Sequence, residues 1–127
     1  MASPSSASLG RLGEDVAALL LASRGYAVVG RNVRFGRREI DLVVERGRLL
    51  VAVEVKWRRE GERAMIGDAW SRAQRGRAHE AVLLAMAQFP GAAGRPWRFD
   101  LVHITAQPRG WIVEHRPGAW TPAVTWW

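Results

Sequence analysis

The chain has 127 residues, 48% of them hydrophobic, which suits one compact domain with its own core and excludes wholesale disorder. It contains no cysteine, so disulfides, thiolate catalysis and cysteine-held zinc are excluded, and a reducing cytoplasm is the expected location. The formal net charge is +7, a balance that suits a polyanionic partner such as nucleic acid.

Residues 1–8 (MASPSSAS) are small and polar and read as a disordered tail. Leu9, Leu12, Val16, Leu19 and Leu20 then recur at helical spacing, and Gly25 is a C-cap, so a first helix is expected over about 9–24. The apolar run Val16 to Ala22 is far short of the roughly 20 residues a membrane span needs, and no basic stretch precedes it, so no secretory signal is expected. Three strand-like runs follow, Tyr26 to Phe35, Arg38 to Glu45 and Arg48 to Lys56, joined by short turns at Gly36 and Gly47 that predict antiparallel hairpins. The third run, built on LLVAVEV, is apolar almost throughout and predicts a central strand covered on both faces.

Residues 57–64 (WRREGERA) form a basic loop, and a second helix is expected from near Gly67 to Phe89, with Ala69, Ala73, Val82, Leu83, Met86 and Ala87 as its apolar positions. A loop at 90–96 leads to a fourth strand, Arg98 to Thr105, and a fifth, Trp111 to His115. The order α-β-β-β-α-β-β predicts an α/β fold, a mixed sheet with helices against its faces. Residues 9–116 make one domain, and 117–127 form a tail rich in Trp and Pro.

Chemistry concentrates on the second and third strands. Glu54 and Lys56 are two apart and share a face at the end of the third strand. Across the hairpin, Asp41 falls roughly opposite residues 52–54, so the two carboxylates are neighbours. Ionised carboxylates among apolar residues are costly unless a cation compensates, and hard oxygen donors suit Mg²⁺ or Mn²⁺. Of the 19 basic residues 18 are arginine, and Lys56 is the only lysine, a compact charge able to touch a phosphate. The bland alternative is a hairpin-ending aspartate beside an edge ion pair of Glu54 and Lys56.

The runs GRLGE at 10–14, EIDLV at 39–43, VAVEVK at 51–56 and RFDLV at 98–102 resemble the YraN-like family. These are small bacterial proteins of the PD-(D/E)xK nuclease superfamily, near the archaeal Holliday-junction resolvases. The resemblance covers about residues 9–105 and implies a restriction-endonuclease-like fold. It implies Asp41 and Glu54 as metal ligands, the carbonyl of Val55 as a third, Lys56 as the catalytic lysine, and Glu14 as an added acidic residue of the site. Ile40 stands where the superfamily often has proline, and Arg38 where the family usually has glycine. Gln74 falls near a position where some members have a functional glutamine, but Ala78 replaces the tyrosine that usually accompanies it.

Other residues have competing readings. Glu14 in a first helical turn would be stabilised by the helix dipole by about 0.3–1 kcal/mol without any site role. Glu39 shares parity with Asp41 and either faces the same site or is solvated. Arg37, Arg38, Arg58, Arg59, Arg72, Arg75 and Arg77 are the expected phosphate contacts, against a solvated basic face. Asp100 is expected to pair with an arginine or cap the sheet, and His79, His103 and His115 show no metal spacing. Trp57 and Trp70 are expected to pack in the core or rim rather than stack on bases. The function expected is a metal-dependent endonuclease hydrolysing DNA phosphodiester bonds, with branched or damaged DNA as substrate and a homodimer suited to junctions. The rival is a non-catalytic nucleic-acid-binding module on the same fold.

Overall fold

Two helices and five strands follow one another as α1 (Ser6–Ser23), β1 (Ala27–Phe35), β2 (Arg38–Arg46), β3 (Leu49–Arg59), α2 (Arg72–Gln88), β4 (Trp97–Gln107) and β5 (Gly110–Trp120). The computed structural model describes residues 6–59 and 72–120. The element order is the one the sequence predicts. α1 starts three residues inside the expected tail, and β5 takes residues 117–120 from the expected C-terminal tail into the sheet. Residues 1–5, 121–127, the loop after β3 and Trp70 lie outside the described residues, as does the expected start of α2 near Gly67.

α1 closes at Gly25 as expected. With φ at +89°, Gly25 turns the chain so that its N–H reaches Ala22 O at 3.1 Å and that of Tyr26 reaches Leu21 O at 3.0 Å. This pair of bonds satisfies carbonyls the helix would otherwise leave open. The buried face of α1 differs from the leucine stripe. Gly13, Ala17, Ala18 and Leu21 are buried, whereas Leu19 is 73% exposed. The reason is a close approach at Gly13: a Cβ there would stand 2.6 Å from Trp57 Nε1. That indole donates its N–H to Leu9 O at 2.7 Å, so Trp57 lies across the helix as packing. Small residues let the helix sit low on the sheet, and Leu12 and Leu19 turn outward.

The described strands form one sheet in the order β1-β2-β3-β4-β5, antiparallel except for the parallel pair β3 and β4. β3 is central, and α2 is the crossover that a parallel pair requires. One core lies on each face. α1 covers Leu42, Val44, Val51, Val53, Val102 and Ile104. α2, through Ala78, Ala81, Val82 and Ala85, covers Val43, Leu50, Ala52, Phe99 and Leu101. Leu83, expected on the apolar side of α2, is exposed. Among the described residues no helix is long and apolar enough to cross a membrane.

Candidate active site

The ladder between β2 and β3 runs from Arg46–Leu49 to Leu42–Val53 and stops. Beyond it β2 stays with β1 as far as Arg38, and β3 stays with β4 as far as Arg59. The two strands part as a fork, and Asp41 is the first residue of β2 past the last pair. Its side chain takes the place of the missing ladder, with Val55 N–H donating to Asp41 Oδ2 at 2.8 Å. The N–H and C=O of one residue leave a strand on the same edge, so the Val55 carbonyl opens on the same fork.

Glu54 and Lys56 continue the face of β3 that carries Leu50 and Ala52, so they project toward α2. A cavity of about 220 Å³ opens there. Asp41, Glu54, Lys56 and Glu39 line it on the strand side, Gln74 and Arg77 from α2, with Ile40, Ala78, Ala81 and Phe99 as apolar wall. Arg37 and Arg38 line it too. Three residues on two different strands, singled out by spacing, thus meet at one opening.

Burial pushes the Asp41 carboxyl up to about 6; the Val55 bond works against this, and repulsion from Glu54, Glu14 and Glu39 adds to it. The edge ion pair between Glu54 and Lys56 does form, with Nζ 3.4 Å from Oε1. Lys56 is 49% exposed and Glu54 33%, so the pair is worth about 1 kcal/mol at most and leaves Lys56 with donors to spare. The donor set fits a small hard cation. Two carboxylates line an opening with room for water, with the Val55 carbonyl on the fork beside them, a set of oxygen donors that suits Mg²⁺ or Mn²⁺ better than a softer metal.

Glu14 takes a different place from the one expected. α1 begins at Ser6, so Glu14 is mid-helix and not in the first turn. It does not line the cavity. Among the described residues no three acidic or histidine side chains gather closely enough to hold one ion. Glu14 reaches Asp41 through charge and accepts a hydrogen bond from Asn32 Nδ2 at 3.0 Å.

The arginines divide. Arg38 is bound to Glu80 at 3.2 Å. The side chains of Arg37 and Arg77 have no hydrogen bond or ion pair among the described residues, and both line the cavity. The side chains of Arg58, Arg59, Arg72 and Arg75 lie outside the described residues. Gln74, discounted for want of a tyrosine partner, nonetheless lines the cavity.

Asp100 pairs with an arginine, as expected. Arg98 donates Nε to Oδ1 at 2.7 Å and Nη2 to Oδ2 at 2.8 Å, and Gly118 N–H donates to Oδ1 at 2.9 Å. His115 Nε2 stands 2.7 Å from Oδ2, and its Nδ1 is 2.8 Å from Arg24 Nη1. A guanidinium can only donate, so Nδ1 is the acceptor and Nε2–H donates to Asp100. Spacing gave no hint of His115 here, because its partners come from positions 24 and 100.

Comparison with known proteins adds a family. The model of a family described as "Uncharacterised protein family UPF0102" matches residues 13–104. A UPF0102 protein of Parvibaculum lavamentivorans is 42% identical over 114 residues, covering 90% of this chain and 82% of the relative. One from Symbiobacterium thermophilum is 39% identical over 102 residues, covering 80% and 86%. Among solved structures, SfsA of Pyrococcus furiosus in complex with Ca²⁺ aligns with a TM-score of 0.39 at 10% identity, over 84% of this chain and 62% of that one. That likeness is too slight to support any argument.

Proposed function

This chain belongs to the uncharacterised protein family UPF0102, the YraN family, and we propose that it is a metal-dependent endonuclease hydrolysing DNA phosphodiester bonds. One observation carries the reading: at the strand fork a half-buried Asp41, its carboxyl raised to about 6, is crowded by Glu54 beside the only lysine of the chain. Natural sequences keep such unfavourable charge where function uses it.

Asp41, Glu54 and the Val55 carbonyl would hold Mg²⁺ or Mn²⁺. When bound, the cation supplies Lewis acidity that offsets charge on the phosphate and lowers the pKa of water. Lys56, which lines the cavity beside Glu54, donates to a non-bridging oxygen of the scissile phosphate. Arg37 and Arg77, without carboxylate partners among the described residues, bind neighbouring phosphates. Such contacts fix register and carry no sequence information, so shape selects the substrate. The preference for branched or damaged DNA rests on the resemblance to junction resolvases.

The test is cleavage of labelled single-stranded, duplex, flap and four-way-junction DNA with Mg²⁺ or Mn²⁺, beside Asp41→Ala and Lys56→Ala. The expected result is cleavage that chelator and either substitution abolish. Metal-independent binding without cleavage, equal in all three proteins, would establish the non-catalytic binding module instead.

A further inference from the structure

Asn32 is the only non-glycine residue with positive φ among the described residues, at +49°. Asparagine tolerates the left-handed region better than most residues, but such a conformation persists only where its surroundings fix it. The surroundings here are specific. β1 and β2 pair Arg31 with Leu42 and Val33 with Ile40, so Asn32 stands level with Asp41 on the neighbouring strand. There its Nδ2 donates to Glu14 Oε1 at 3.0 Å, across 18 positions of sequence. Next to it Arg31 Nη1 meets Asp15 Oδ1 at 2.6 Å, so two successive acidic residues of α1 are tied to two successive residues of β1. The Arg31–Asp15 pair is exposed and contributes little. The Asn32 bond is directional, and among the described residues it is the only hydrogen bond to the Glu14 carboxylate.

We propose that Asn32 is a positioning residue: the left-handed turn at its Cα aims its amide at Glu14 and holds that carboxylate at the side of the fork, level with Asp41. The inference rests on the nuclease reading, since it gives Glu14 its task. Glu14 then adds negative charge to the site without joining Asp41 and Glu54 as a ligand. An ionised carboxylate only accepts, so a donor is required at position 32, and the left-handed backbone makes asparagine the side chain that meets both demands.

The test is calorimetric titration of the full chain with Mn²⁺ alone, with urea unfolding of each variant alongside. Asn32→Gly keeps the left-handed backbone and deletes the donor. Asn32→Asp keeps the size and replaces the donor with a like charge. Asn32→Gly is expected to weaken Mn²⁺ binding about 10-fold, the usual scale for losing a group that orients a metal site. Asn32→Asp should weaken it as much although it adds a negative charge, the opposite of what net charge alone would do. In a Glu14→Gln background Asn32→Gly should cause no further loss, because its partner carboxylate is already gone. Unchanged affinity in Asn32→Gly and Asn32→Asp, or losses that simply add in the double variant, would overturn the proposal and leave the bond as a fastening of α1. Asp41→Asn separates the two readings. If it binds Mn²⁺ like the parent protein, no cation is held at the fork and both readings fall; if it loses binding while the Asn32 variants do not, only the Asn32 proposal falls.

Discussion

Asp41 on β2 and Asp100 on β4 are both aspartates set among apolar strand residues, and their surroundings are opposite. Asp100 is wholly buried and receives four donors, two from Arg98, one from His115 and one from Gly118 N–H. The network continues to Tyr26, whose hydroxyl accepts from Arg98 Nη2 at 2.6 Å, and to Arg24. Both oxygens are used, and the bond to Asp100 drives the Arg98 guanidinium further above its ordinary range. Asp41 has one backbone donor, three acidic neighbours and an opening beside it. A carboxylate with every lone pair satisfied is part of the architecture. One held in charge excess beside a cavity is poised for a ligand.

Substitutions at the two positions should therefore have opposite signs. The largest effect is expected for Asp100→Ala, which strands Arg98 half-buried and removes the partner of His115. Urea unfolding should show a loss of about 3–5 kcal/mol. Asp41→Asn should instead stabilise the metal-free protein at pH 7.5, by up to about 3 kcal/mol for a shift of this size. The sign follows from the direction of the shift. The folded carboxyl is raised from 3.8 to about 6, so its favourable contribution is complete below pH 3.8 and is lost as pH rises through about 6. The advantage of the amide should accordingly vanish at pH 3.8 and below, and a gain that persists there would contradict the electrostatic origin. The smallest effect is expected at Arg77→Ala, which should weaken DNA binding alike for all sequences and lower the slope of log affinity against log salt by about 1.

Much of this was legible in the sequence because it is local. Alternation placed Glu54 and Lys56 on one face, and the turn at Gly47 set the hairpin that brings Asp41 level with Glu54. Periodicity also gave all seven elements in order. What stayed hidden depends on which way an element turns or on distant partners. The leucines of α1 form a regular stripe, yet the helix buries Gly13 and Ala17, because Trp57 of β3 requires a flat surface there. Asn32 reads as an ordinary strand residue, and only its φ and the proximity of Glu14 reveal its role. His115 joins Asp100 through the β4–β5 pairing, which no motif encodes. The end of the β2–β3 ladder, which makes the fork, has no signature in composition at all.

The most direct measurement is the unfolding free energy of the parent protein and of Asp41→Asn at pH 7.5, each without and with saturating Mn²⁺. Without the ion the variant should be the more stable of the two. With it the order should reverse, because only the parent carboxylate gains RT ln(1 + [L]/Kd) from a cation at the fork. Equal stabilisation of both proteins by Mn²⁺, or a variant already less stable in its absence, would contradict a fork built to hold a divalent cation.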